Sequence, residues 1–102
     1  MKVAVFSARP YDRRSLDEAN QQRGSGPAFE FQYYDATLDV HTVSLAQDCD
    51  AVCVLVNDRL DAPVLQALHA MGVRAVLLRC AGFNNVDLAS AEGLGFFVAR
   101  VP

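Results

Sequence analysis

Two continuous apolar runs, separated by a segment with helical periodicity, most constrain how this chain can fold. Residues 51–56 (AVCVLV) and 75–78 (AVLL) contain no polar residue. Such runs are typical of strands in a parallel sheet, because helices cover both faces of that kind of sheet. The segment 61–70 lies between them, and apolar residues fall at positions 64, 65, 68 and 71. This i, i+1, i+4, i+7 spacing predicts a helix that connects the two strands.

The same alternation of strands and helices extends along the whole chain. Further strands are predicted over 3–6, 29–34 and 96–101, and further helices over 11–22, 42–46 and 86–93. The helix at 42–46 is expected to be weak and short. For the helix at 61–70, Asp61 suits the N-cap, Pro63 suits the first turn and Gly72 suits the C-terminal side.

This order of elements predicts one α/β domain. We expect a flavodoxin-like, doubly wound sheet of five parallel strands in the order 2-1-3-4-5. Because Pro102 directly follows the last predicted strand, we expect this sheet to lack a closing C-terminal segment. We therefore expect one face of the sheet beside the last strand to be uncovered, with self-association through that face.

Composition excludes several classes of function. The 102 residues include 12 acidic and 9 basic side chains, which gives a formal charge of −3 and no basic face for nucleic acid. No apolar run approaches the roughly 20 residues that span a membrane, and the start is too short for a signal peptide. The three cysteines, without a leader or a zinc-like spacing, predict buried free thiols and no metal site. We expect a cytoplasmic protein with neither nucleic-acid nor membrane partners.

Ligands of an open parallel sheet bind at the carboxyl ends of its strands, which selects the segments 7–9, 57–59 and 79–85. A phospho-receiver site would place a carboxylate after strand one and a lysine after the last strand, and this chain has neither. A dinucleotide site would need a glycine-rich loop after strand one, and residues 9–12 contain no glycine.

The small residues Ala81 and Gly82 precede a predicted helix, and their backbone N–H groups could hold a small carboxylate. Alternatively, Gly82 only makes the turn, and Asn84 and Asn85 cap the following helix.

Residues 79–88 (RCAGFNNVDL), followed by 93–95 (GLG) and 98–102 (VARVP), resemble the D-isomer-specific 2-hydroxyacid dehydrogenases. The resemblance is closest to the fermentative, NAD-dependent D-lactate dehydrogenases. Segments 4–12 and 56–65 agree with it, so it covers essentially the whole chain.

The resemblance implies an enzyme of two domains with the active site between them. Residues 1–102 would be the N-terminal catalytic, or substrate, domain, which pairs with an NAD-binding Rossmann domain. The catalytic histidine, its carboxylate partner and the substrate-gripping arginine would all lie beyond Pro102. No catalytic residue and no bound cofactor are therefore expected in this chain, whereas the full-length enzyme would use NAD. The implied reaction interconverts pyruvate and D-lactate, and the isolated chain is expected to be inactive.

The resemblance also implies which residues of this chain face the substrate, a small 2-keto or 2-hydroxy acid. Ala81 and Gly82 match positions whose backbone N–H groups hold the substrate carboxylate. The remaining substrate-binding candidates are Phe83, Asn84, Asn57, Asp58 and Arg9. Arg9 is equally well explained as a solvated surface charge, and His41 and His69 are expected to be structural.

The alternative function is a stand-alone flavodoxin-like module that binds a small carboxylate or a partner protein.

Overall fold

A computed structural model describes residues 1–21, 30–55, 58–79 and 86–100. The elements in chain order are β1 (Lys2–Val5), α1 (Pro10–Gln21), β2 (Glu30–Tyr33), a 3₁₀ turn (Val43–Ala46), β3 (Ala51–Val54), α2 (Ala62–Ala70), β4 (Ala75–Leu78), α3 (Leu88–Gly93) and β5 (Phe97–Arg100). The alternation that the sequence predicts is therefore present.

The five strands form a single sheet in the order β2-β1-β3-β4-β5, and every neighbouring pair is parallel. This confirms the predicted order 2-1-3-4-5. In the centre of the sheet, Val52 of β3 is in register with Ala4 of β1 and with Val76 of β4. Because all strands point the same way, the segments that follow β1, β3 and β4 begin side by side at one edge.

The larger core lies between the sheet and the helices α2 and α3. Alternate strand residues point towards it, since successive side chains of a strand face opposite sides of the sheet. The strand side of this core consists of Ala4, Phe6, Val52, Val54, Val76 and Leu78. Leu65 and Leu68 of α2 are fully buried against them.

The opposite face of the sheet has a smaller core. Val3, Val5 and Cys53 are buried there, and Leu16 of α1 packs against them. Towards the last strand the cover thins, because Leu77 is only half-buried and Phe97 is 59% exposed. Among the described residues, the sheet face beside β5 is open, as the sequence predicts.

The predicted signals for α2 are confirmed. Asp61 is the N-cap, and its side chain accepts a hydrogen bond from the backbone N–H of Val64 at 3.2 Å. Pro63 lies in the first turn, where its missing N–H costs nothing. Gly72 follows the helix with φ of +93°, a left-handed conformation that favours glycine.

Three elements differ from the sequence prediction by more than a one-residue shift of an end. The weak helix at 42–46 is a 3₁₀ turn, Val43–Ala46. The strand predicted to reach residue 56 ends at Val54, because the next N–H, that of Leu55, bonds to the carboxyl group of Asp58 instead. The helix α3 begins at Leu88, two residues later than predicted.

The N-cap of α3 is Asp87, and the asparagines considered as caps from the sequence, Asn84 and Asn85, lie outside the described residues. The Asp87 carboxylate accepts hydrogen bonds from the backbone N–H of Ser90 at 3.1 Å and from the Ser90 hydroxyl at 2.8 Å. These bonds favour the charged form and lower the pKa of Asp87.

In the described ranges, no helix is long and apolar enough to cross a membrane.

Candidate functional site

The polar groups of interest lie where β1, β3 and β4 end. Parallel strands bring their carboxyl ends to the same edge of a sheet, and this edge is where such folds bind ligands. Here the edge is formed by Phe6 to Arg9 after β1, by Leu55 and Asp58 after β3, and by Arg79 after β4. We refer to these residues as the carboxyl-end edge.

Asp58 is the centre of a buried hydrogen-bond network at this edge. It is 1% exposed. Its carboxyl group accepts from the Ser7 hydroxyl at 2.7 Å, from the Leu38 N–H at 2.7 Å and from the Leu55 N–H at 2.6 Å. A buried polar group needs such partners, because leaving one unpaired costs about 1–3 kcal/mol. The described contacts of Asp58 therefore hold together the segments that follow β1, β2 and β3.

Ser7 reaches Asp58 because its backbone turns sharply at the end of β1. Its φ is +53°, which is uncommon for a residue with a side chain. The turn is fixed by two backbone bonds, from the Ser7 N–H to the Ala36 carbonyl and from the Ala8 N–H to the Tyr34 carbonyl, both 2.9 Å. The hydroxyl is consequently aimed inward, and the chain continues to Arg9 on the surface.

Arg79 is the second buried charge at the edge. Its side chain is 7% exposed, and Nη1 lies 2.9 Å from Oδ2 of Asp12 in the first turn of α1. The N–H groups of Nη1 do not point at that oxygen, so the contact is an ion pair and not an aligned hydrogen bond. The other terminal nitrogen, Nη2, donates to the backbone carbonyl of Phe6.

Cys53, beside Arg79, is a neutral thiol. Burial raises the pKa of Cys53 to about 11, although the neighbouring Arg79 guanidinium acts in the opposite direction. A thiol with so high a pKa is a poor nucleophile at neutral pH, because the thiolate is the reactive form. Cys49 is also free and buried, and burial raises its pKa too. Neither thiol has the properties of a catalytic cysteine.

The structure describes two of the seven sequence-predicted site residues. Arg9 is exposed at the carboxyl-end edge, and its backbone N–H donates to Asp12 at 3.0 Å. Asp58 lies at the same edge but points inward, and its contact with a substrate stays a prediction. The other five lie outside the described residues: Asn57, Ala81, Gly82, Phe83 and Asn84.

The two histidines lie apart from this network. His69 is at the C-terminal end of α2, which returns to the opposite edge of the sheet, and its ring meets that of Phe96 edge-on at 6.2 Å. His41 is exposed and donates its backbone N–H to Asp39. Within the described ranges, no three metal-binding side chains come together. At the carboxyl-end edge the described residues therefore combine an exposed arginine, Arg9, with the buried side chains of Asp58 and Arg79.

Comparison with known proteins identifies the family. Residues 3–102 match the family described as D-isomer specific 2-hydroxyacid dehydrogenase, catalytic domain. The chain belongs to this family.

Several members of the family are similar over the whole chain. The chain is 60% identical to 2-hydroxyacid dehydrogenase A of Aspergillus oryzae over 102 residues, which is 29% of that protein. The apo-structure of D-lactate dehydrogenase from Escherichia coli superimposes with a TM-score of 0.92 at 46% identity, and the chain covers 31% of it. The structure of D-lactate dehydrogenase with NAD⁺ from Lactobacillus jensenii superimposes with a TM-score of 0.81 at 29% identity, and the chain covers 30% of it. The chain thus spans about three-tenths of the length of these dehydrogenases.

Sequence reasoning missed three interacting residues of this 2-hydroxyacid dehydrogenase domain: Ser7, the partly buried Asp12 and Arg79. Arg79 carried a detectable signal, because a charged residue directly follows a continuous apolar run at the ligand-binding edge of the sheet. Asp12 carried none, since an acidic residue in the first turn of a helix is usually explained by the helix dipole. Their pairing depends on the packing of α1 over the sheet.

Proposed function

We propose that this chain is the substrate-binding part of an NAD-dependent D-lactate dehydrogenase, which reduces pyruvate with NADH. The observation that carries the proposal is the similarity to D-lactate dehydrogenase from Escherichia coli over all 102 residues, at 46% identity. The family by itself is broader and includes relatives named only as 2-hydroxyacid dehydrogenases. We further propose a cytoplasmic location, which agrees with the two free, buried cysteines Cys49 and Cys53.

The role proposed for this chain is to hold the substrate carboxylate. The backbone N–H groups of Ala81 and Gly82 would donate to it, with Phe83, Asn84 and Asn57 beside them. Arg9 is exposed at the same edge and would add positive charge. Asp58 would act mainly by keeping the strand ends in register, through its bonds to Ser7, Leu38 and Leu55.

The rest of the reaction is assigned to a second domain beyond residue 102. NAD supplies the hydride when it is bound there, and a proton donor in that domain protonates the developing alkoxide. Closure of the second domain over the carboxyl-end edge would exclude water from the bound keto acid.

The isolated chain is expected to bind pyruvate weakly and to reduce none of it. Two charge-assisted hydrogen bonds contribute about 1.5–3 kcal/mol each, whereas association costs at least ~4 kcal/mol. The net free energy of pyruvate binding to the isolated chain is therefore close to zero.

The direct test is a hybrid enzyme, in which this chain replaces the matched N-terminal segment of the Escherichia coli D-lactate dehydrogenase. The hybrid is expected to oxidise NADH in the presence of pyruvate, with kcat within about tenfold of the parent, or about 1.4 kcal/mol in barrier. The same enzyme without the segment is the negative control. A folded hybrid with no pyruvate-dependent turnover would contradict the proposal and favour the stand-alone binding module.

A further inference from the structure

A single ion pair connects two segments of the carboxyl-end edge. Arg79 ends the described part of the chain after β4 and directly precedes residues 80–85, which contain the proposed carboxylate-binding positions. Its guanidinium lies 2.9 Å from Oδ2 of Asp12. The same oxygen accepts the backbone N–H of Arg9 at 3.0 Å. One carboxylate oxygen thus joins the end of β4 to the segment that carries Arg9.

The pair also fixes the end of β1. Nη2 of Arg79 donates to the backbone carbonyl of Phe6, and the Arg79 N–H donates to the Val54 carbonyl at 2.9 Å. Arg79 therefore contacts the ends of β1 and β3 and the first turn of α1 at the same time. A fork-shaped, planar guanidinium suits such a junction, because its donors keep fixed relative directions.

The stability of the fold alone does not explain this pair. Burying two charges costs solvation energy that their attraction only partly offsets, so apolar replacements of buried ion pairs are often neutral or stabilising. In addition, Nε and Nη1 of Arg79 are buried without a well-aligned oxygen acceptor among the described residues, and the uncharged Cys53 thiol lies beside the guanidinium. By contrast, the buried carboxyl group of Asp58 accepts three hydrogen bonds, which offset the cost of its burial.

We infer that Arg79 and Asp12 are positioning residues for substrate binding, which hold the end of β4 at Arg79 and the segment of Arg9 at the spacing that the substrate carboxylate requires. This inference rests on the proposed function. Displacement of a binding group by about 1 Å can cost up to a hundredfold in rate or affinity, so a pair that fixes this spacing has a measurable effect.

The test uses the hybrid enzyme with Arg79→Gln, Asp12→Asn and Arg79→Lys. Pyruvate is compared with methyl pyruvate, which keeps the ketone but has no carboxylate. Arg79→Gln and Asp12→Asn are expected to raise KM for pyruvate about tenfold with little change in kcat, as when ground-state and transition-state binding are lost equally. The ratio of kcat/KM for pyruvate to that for methyl pyruvate should fall by a similar factor. Arg79→Lys keeps the charge and should recover part of the loss.

The matched control is Arg74→Gln. Arg74 is an exposed arginine at the other end of β4, where its side chain bonds to the His69 and Val73 carbonyls. This substitution should leave kcat/KM unchanged for both pyruvate and methyl pyruvate. The double variant Asp12→Asn/Arg79→Gln should resemble either single variant, because the two residues act as one unit.

Two failures are distinguishable. If the unsubstituted hybrid folds but does not reduce pyruvate, the proposed function is wrong. If it reduces pyruvate, and the variants lower activity equally on pyruvate and methyl pyruvate or not at all, Arg79 and Asp12 are structural and the inference is overturned. Should Arg79→Gln fail to fold, Asp12→Asn and Arg79→Lys decide the question by the same ratio.

Discussion

Asp58 illustrates how a residue's chemistry depends on the direction in which its side chain points. Its position after β3 is predictable from the apolar run that precedes it, because the run ends at the ligand-binding edge. Its inward orientation is not, since that depends on Ser7 and Leu38, which come from distant parts of the sequence. The sequence therefore predicted that Asp58 lies at the carboxyl-end edge. It could not predict whether the Asp58 side chain points towards the protein interior or towards a ligand.

The network makes a stability prediction. Asp58→Ala leaves the Leu38 N–H group without its acceptor and removes the hydrogen bonds to Ser7 and Leu55. It should lower the free energy of unfolding by roughly 2–6 kcal/mol, from about 1–3 kcal/mol for the donor without an acceptor and about 0.5–1.5 kcal/mol for each lost bond. Ser7→Ala removes a single hydrogen bond and should cost only about 1 kcal/mol. Urea unfolding of the two variants beside the unsubstituted chain measures both values. Equal effects would show that Asp58 does not organise the edge.

The buried thiol of Cys53 makes the stability of the fold depend on pH above about pH 9. Its pKa is raised from the ordinary value near 9 to about 11 by burial, so the unfolded thiol ionises first as pH increases. Its contribution to stability is complete below pH 9 and is lost as the pH rises towards 11, at up to about 1.4 kcal/mol per pH unit. Cys53→Ala should therefore show a shallower loss of stability between pH 9 and 11 in chemical unfolding. Identical slopes would argue that Cys53 is not protected from ionisation.

Among the elements, α2 was the most predictable because its ends carry explicit chemical signals. Asp61, Pro63 and Gly72 each have a conformational reason for their positions. Asp61→Ala removes the acceptor for the Val64 N–H and should cost about 1 kcal/mol of stability. Gln66→Ala, an exposed position in the middle of the same helix, is the control and should be close to neutral. Thermal unfolding of both variants provides the comparison, and a cost at Gln66 as large as at Asp61 would refute the capping role.

Two elements that sequence reasoning placed less well differ in length or type. The strand β3 stops at Val54, where the next N–H bonds to the side chain of Asp58, and Val43–Ala46 form a 3₁₀ turn where a short helix was expected. Neither difference can be deduced from the pattern of apolar residues. The sheet order, by contrast, follows from the apolar runs and the short connections, which leave few alternatives.

At the scale of the whole molecule, the open sheet face beside β5 remains the basis for predicted self-association. Phe97 is 59% exposed there, next to the half-buried Leu77 and Ala99. Apolar patches of this kind favour association when nothing covers them. Sedimentation of the chain should show a concentration-dependent dimer, and Phe97→Ser should weaken it. Val40→Ser, at an equally exposed apolar residue elsewhere, should not. A monomer at every concentration would contradict the prediction.

The central claim is that this chain places the carboxylate of a 2-keto acid, and the configuration of the product tests it most directly. In the hybrid enzyme the hydride and the substrate-gripping arginine would come from the Escherichia coli part. This chain is proposed to hold the carboxylate, which would help to fix the face of the keto carbon that receives the hydride. The lactate formed from pyruvate should be the D-isomer alone. Racemic or L-lactate, from a hybrid that folds and consumes NADH, would show that this chain does not hold the carboxylate as proposed.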